Sequence, residues 1–202
     1  MKIAVIGSTG ATGKLVLQEA KRRGHEVTAF ARDADALARV SGLADVVEGD
    51  GRDRGALERA VAGQNAVIDA VGSGGTPDAI SAVARSLTEA MQAAGVPRLV
   101  ATSAYGMVAK RPYVLASIVR RIFRATFADQ HIADHLIESS NLDWTIVRAT
   151  RLVSGTPKRP ARLSTDRFTN GPYSLRRAAY ATALVDLVDN HLHSRQIVNI
   201  TG

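Results

Sequence analysis

Short apolar runs alternate with longer amphipathic stretches through the N-terminal two thirds of the chain. The runs at 2–6, 26–31, 44–48, 66–70, 98–103 and 144–148 are rich in Val, Ile and Ala. Short, largely apolar runs of this kind predict strands buried on both faces of a sheet. Between them, residues 11–23, 54–61, 77–94 and 129–139 place apolar side chains at helical spacing. Asp53 suits a helix N-cap, and Gly24 and Gly95 fall where C-caps are expected. Repetition of strand, helix and strand predicts an α/β protein with a doubly wound parallel sheet, because parallel neighbours need helical crossovers. After Arg148 the pattern loosens into a proline-containing, basic tail, read as mostly loop with one short strand. A helix over 177–190 and a strand over 196–201 close the chain. The expectation is one domain spanning 1–202, with 149–202 folded over the sheet edge as a lid on the substrate side.

Composition narrows the classes. The 202 residues are 46% hydrophobic and 22% charged, ordinary values for a globular protein. A chain this long buries about 70% of its unfolded surface without covalent staples. There is no cysteine, which excludes disulfides, thiolate metal sites and a cysteine nucleophile. No apolar run approaches the length of a membrane span, and the first residues lack the apolar core of a leader. A cytoplasmic protein is expected. The net charge of +7 suits an anionic partner: nucleic acid, a lipid surface or a small molecule. No nucleic-acid-binding motif accompanies the charge, so nucleic acid is not expected. Lys21-Arg22-Arg23 and Lys158-Arg159 are read as surface clusters. Residues 111–127 interleave apolar and basic side chains as an amphipathic helix does. The readings open for that stretch are a solvated face, a lid over the substrate site, or contact with acidic lipid or a partner.

The chemistry is concentrated in Gly7-Ser8-Thr9-Gly10-Ala11-Thr12-Gly13, which follows the first strand and opens the first helix. In that context Gly7 allows a tight turn, Gly10 lets the backbone approach a pyrophosphate, and Gly13 permits close helix–strand packing. The helix start adds free N–H groups and a positive dipole. At the end of the second strand, where a ribose-binding carboxylate would stand, the chain has Ala31-Arg32-Asp33. Arg32 suits a 2′-phosphate, which favours NADP(H) over NAD(H), while Asp33 suits a cap for the next short helix.

These features resemble the atypical short-chain dehydrogenase/reductases, an NAD(P)-binding, NmrA-like family with a Rossmann fold. The resemblance is nearest to the branch of biliverdin reductase B and flavin reductases. It is carried by 7–13, Phe30-Ala31-Arg32-Asp33, Val46-Val47-Glu48-Gly49-Asp50 and Ala66-Val67-Ile68-Asp69-Ala70-Val71-Gly72. It continues through Ala94-Gly95-Val96, Thr102-Ser103-Ala104-Tyr105, His131-Ile132-Ala133-Asp134-His135 and 142–148. The resemblance implies Ser8, Thr9, Ala11 and Thr12 near the phosphates and Arg32 on the 2′-phosphate. It further implies Asp50 and Gly51 beside the adenine, Ala70, Val71 and Gly72 over the nicotinamide-side ribose, and Ser103 beside the nicotinamide.

The chain departs from the family at several places. No tyrosine is followed four residues later by lysine, so the Tyr–Lys pair of the larger superfamily is absent. Asp129-Gln130 stands where related members often have Asp-Lys, and Arg151 where the biliverdin reductase B branch has a histidine near the substrate. Hydride transfer needs positioning more than acid–base power, since the cofactor carries the chemistry. The expected reaction is therefore hydride transfer from NADP(H) to a flat conjugated acceptor such as a flavin, a quinone or a biliverdin-like molecule. Ser103 would donate a hydrogen bond, Tyr105 would form a wall, and Arg151 would contact an anionic group. The alternatives are an NADP(H) sensor that binds without turnover, and an isomerase or dehydratase. His131 and His135 share a helical face, but without a third ligand no metal is expected. Monomer and homodimer both stay open.

Overall fold

The structure is a computed structural model that describes residues 1–110, 113–166 and 173–202. Within the stretch 111–127, Arg111 and Pro112 therefore lie outside the described residues, as do 167–172 of the tail.

The chain runs β1 (Lys2–Ile6), α1 (Gly13–Arg22), β2 (Glu26–Ala31), β3 (Asp45–Glu48), α2 (Arg54–Val61), β4 (Ala66–Asp69), α3 (Ala79–Ala94) and β5 (Arg98–Ala104). It continues with α4 (Tyr113–Ile122), α5 (Arg124–Glu138), β6 (Asp143–Ala149), β7 (Arg151–Val153), β8 (Arg162–Ser164), β9 (Ser174–Arg176), α6 (Arg177–Asp189) and β10 (Gln196–Thr201). Eight strands form one sheet in the order β3-β2-β1-β4-β5-β6-β10-β8, parallel except for β8, which runs antiparallel to β10. The doubly wound parallel sheet expected from the sequence is present, and the fold is of the Rossmann type.

Alternation within the strands explains why both faces are apolar. Ile3 and Val5 pack toward α1 and α6, whereas Ala4 and Ile6 pack with residues of α2 and α3. Local signals behave as the sequence suggests. Asp53 accepts from the N–H groups of Gly55 and Ala56, Asp33 accepts from Asp35 N–H, and Gly95 ends α3 with φ +67°. Strand order reverses between β1 and β4, so the loops leaving these two strands diverge and open a crevice at their carboxyl ends.

Several expectations are corrected. The helix expected at 129–139 begins at Arg124, because Asp129 does not cap its own helix. Its buried carboxylate instead accepts from the N–H groups of Ile80 and Ser81, at 2.9 and 3.0 Å, and so caps α3. Among its described residues the tail contains three short strands rather than one. Their partners are distant in sequence, β8 on β10 and β7 on β9, so no local period announces them. Arg23 is no solvated surface cation either. It reaches Glu19, Asp186 and Asp189 at 2.7–2.9 Å and ties α1 to α6. No helix among the described residues is long and apolar enough to cross a membrane.

Candidate functional site

A cleft of about 470 Å³ opens at the reversal point. Its floor is the turn after β1. Gly7 adopts φ +79°, and a Cβ there would come within 2.9 Å of Ala70 O. Gly13 is more tightly held, since a Cβ would sit 2.2 Å from Gly7 O. The first turn of α1 therefore lies directly on the glycine loop. Gly10 N–H turns inward to Gly7 O, while the N–H groups of Thr9, Ala11 and Thr12 make no hydrogen bond within the described residues. Unpaired N–H groups at a helix start are the donor set that a pyrophosphate requires, so the residues present fit a dinucleotide.

The cleft gathers Gly7, Thr9, Gly10, Ala11, Thr12, Arg32, Asp50, Gly51, Ala70, Val71 and Gly72. Ser8 is placed otherwise. Its hydroxyl donates to Val5 O at 2.6 Å and accepts from Phe30 N–H at 3.1 Å, so it clips the end of β1 to β2. Gly13 likewise serves packing and does not line the cleft. Arg52, which the sequence reading missed, lines the cleft beside Arg32. It grips Asp50 at 2.5 Å, and this guanidinium holds the Asp50 carboxyl down at about 2. Two arginines thus stand at the end of the cleft nearest β2 and β3.

Ser73, Gly74, Thr76 and Ala79, which follow β4, line the cleft too, and on the side of β6 it is completed by Leu152 of β7 and Arg177, the first residue of α6. These last two come from the tail and carry no motif. Strand alternation sends Leu152 into the cleft, while its neighbours Arg151 and Val153 line a second cavity of about 420 Å³ with Lys158, Arg159 and Arg176. Arg151 and the cleft are therefore on different sides of β7. His131 and His135 are exposed on α5 and line neither cavity.

Ser103 is buried and does not line the cleft. Its hydroxyl donates to Asp134 Oδ2 at 3.0 Å, so its proton is committed and only its lone pairs are left for another donor. Asp134 is itself buried, paired with Arg148 at 3.0 Å and hydrogen-bonded by the Gln130 amide at 3.1 Å. The amide that stands where related proteins often have lysine thus supports a carboxylate, and Arg148 supplies the compensating charge. Tyr105 is buried in the short turn of 3₁₀ helix, Tyr105–Met107, that follows β5, outside the cleft lining. Tyr180 of α6 donates to Val147 O at 2.7 Å, and burial pushes its phenol far above the ordinary range. Asp69, at the end of β4, is fully buried. It accepts from Val71 N–H at 3.0 Å, which fixes the 70–72 turn, and burial raises its carboxyl to about 6.

The family model for NAD(P)H-binding proteins matches residues 7–191. The chain belongs to this NAD(P)H-binding family. Its fold is shared with a short-chain dehydrogenase/reductase of Veillonella parvula in complex with NADP, at 17% identity and TM-score 0.86, covering 100% of this chain and 94% of that one. It is equally similar to ChuY, an anaerobillin reductase of Escherichia coli O157:H7, at 20% identity and TM-score 0.86, covering 100% and 97% of the two chains. A local match of 59% identity over 34 residues to the uncharacterized protein YwnB of Bacillus subtilis spans 17% of this chain and 16% of that one.

Proposed function

We propose that the protein is an NADPH-dependent reductase that delivers hydride to a flat conjugated acceptor, a flavin, quinone or biliverdin-like molecule. The observation that carries this reading is the polarity of the cleft at the reversal point. Two arginines, Arg32 and Arg52, mark one end, unpaired N–H groups of the glycine loop occupy the middle, and an apolar side chain with one cation, Leu152 and Arg177, closes the other. Paired arginines favour a 2′-phosphate over a bare ribose, hence NADPH over NADH. When bound, the dinucleotide supplies two electrons and one proton equivalent as hydride, and the second proton of the reduced acceptor comes from solvent.

The chain's own residues bind and orient. The loop 7–12 takes the phosphates, the 70–72 turn braced by Asp69 shapes the floor, and Leu152 provides an apolar surface for a planar ring. Arg177, rather than Arg151, takes an anionic group of the acceptor. Ser103, fixed by Asp134, positions the end of β5 and offers its lone pairs. The test is steady-state kinetics with FMN and riboflavin, which share a ring and differ by a phosphate. Arg177→Ala should raise KM for FMN about tenfold and leave riboflavin unchanged, and Ser103→Ala should lower kcat at unaltered NADPH affinity. Equal effects of Arg177→Ala on both flavins, or none, would remove Arg177 from the acceptor site.

A second reading, a dinucleotide-responsive binding protein without turnover, is favoured by one observation. Among the described residues the only carboxylate lining the cleft is Asp50, and it is occupied by Arg52. That reading predicts NADPH binding with no consumption against any acceptor.

A further inference from the structure

On a surface helix the apolar stripe normally faces the protein core. Helix α4 does the opposite. Val114, Ile118 and Ile122 recur at four-residue intervals with Leu115 beside them, forming one stripe, and these four side chains are 50–75% exposed. Tyr113 and Phe123 at the two ends are exposed as well, and within α4 only Ala116 is buried. The helix rests mainly on the Tyr105–Met107 turn and on α5, held there by Arg120 donating to Ala109 O. An apolar patch of this size turned toward water marks a surface that something covers.

Charge identifies the cover. Residues 90–128 contain no Asp or Glu, while Lys110, Arg120, Arg121 and Arg124 surround the stripe. Arg121 follows Ile118 by one turn and so flanks the apolar face. A second copy of this chain laid on α4 would set these cations against each other with no local carboxylate to offset them. An anionic bilayer satisfies both features at once, with the apolar side chains at the acyl boundary and the arginines among the headgroups. We propose that α4 is an interfacial helix that docks the protein on an anionic lipid surface. This does not rest on the hydride-transfer reading.

The experiment is co-sedimentation of the full chain with vesicles of phosphatidylcholine, with and without phosphatidylglycerol, at low and high salt. Binding should require phosphatidylglycerol and fall with salt. The double substitution Ile118→Ser with Ile122→Ser should weaken it at least tenfold. Arg121→Glu should weaken it about fivefold or more. These side chains are exposed, so circular dichroism and NADPH affinity should not change. Failure of the protein to sediment with anionic vesicles overturns the proposal, as does sedimentation indifferent to these substitutions. A dimer seen by light scattering that the Ile118→Ser, Ile122→Ser protein no longer forms, without vesicle binding, assigns the face to a second copy instead.

Discussion

The two ends of the cleft are made differently. The end that suits phosphates is backbone, one loop and one helix start, held in place because two glycines let main chain touch main chain. The opposite end is assembled from side chains of separate segments: Leu152 and Arg177 from the tail, with Ser103, Asp134 and Arg148 tied together outside the lining. Backbone sites tolerate little change in shape. Side-chain sites tolerate shape change but depend on charge and hydrogen-bond pairing, so substitutions should fail in different ways at the two ends.

The largest effect is expected at Gly13. Gly13→Ala forces a methyl group to 2.2 Å from Gly7 O, which the loop can relieve only by moving. A loss above about 4 kcal/mol in stability, or of more than a hundredfold in NADPH affinity, should be read by thermal melting and by nucleotide titration. Asp134→Asn should cost about 3 kcal/mol in denaturant unfolding, because it leaves Arg148 without its charge partner and confronts the Gln130 amide with another amide. Nucleotide affinity should survive that change. If both substitutions abolish nucleotide binding alike, the two ends are not separable.

Asp69 lies between them. Its carboxyl is raised by burial from 3.8 to about 6, so the folded protein binds this proton more tightly than the unfolded chain. The stability it contributes is present below about pH 4 and is lost as pH rises through 6. Asp69→Asn keeps an acceptor for Val71 N–H and should flatten that slope, leaving the variant about 2 kcal/mol more stable relative to wild type at pH 8 than at pH 4. Melting curves across this window test it, and parallel curves would contradict it. The smallest effect is at Arg32. Arg32→Ala should weaken NADPH by about 1–2 kcal/mol and NADH little, because Arg52 remains beside the 2′-phosphate end. Equal losses for both nucleotides would place Arg32 off that phosphate.

The same contrast explains what the sequence discloses. The phosphate end is legible because its physics is local: a strand, a loop of fixed glycines and a helix start are consecutive, and each leaves a residue-type signature. Asp53, Asp33 and Gly95 were legible for the same reason. Asp134 meets Ser103 across 31 residues and Arg177 meets the cleft from the far end of the chain. The segments around Ser103 and Asp134 stand out in the sequence, but nothing local pairs the two or brings Arg177 to the cleft. Arg151 illustrates the limit, since it is one residue from Leu152 and yet lines the other cavity, a choice made by a pairing of β7 with β9 that no local pattern encodes. The amphipathicity of α4 was visible in its spacing, but its outward orientation depends on contacts elsewhere.

The most direct test is NADPH consumption followed at 340 nm without oxygen, with FMN, riboflavin, a quinone and biliverdin offered separately to the wild-type protein. Hydride transfer predicts that at least one acceptor is reduced in stoichiometric step with NADPH oxidised, and faster with NADPH than with NADH. Tight NADPH binding with no oxidation against every acceptor would contradict the reductase account.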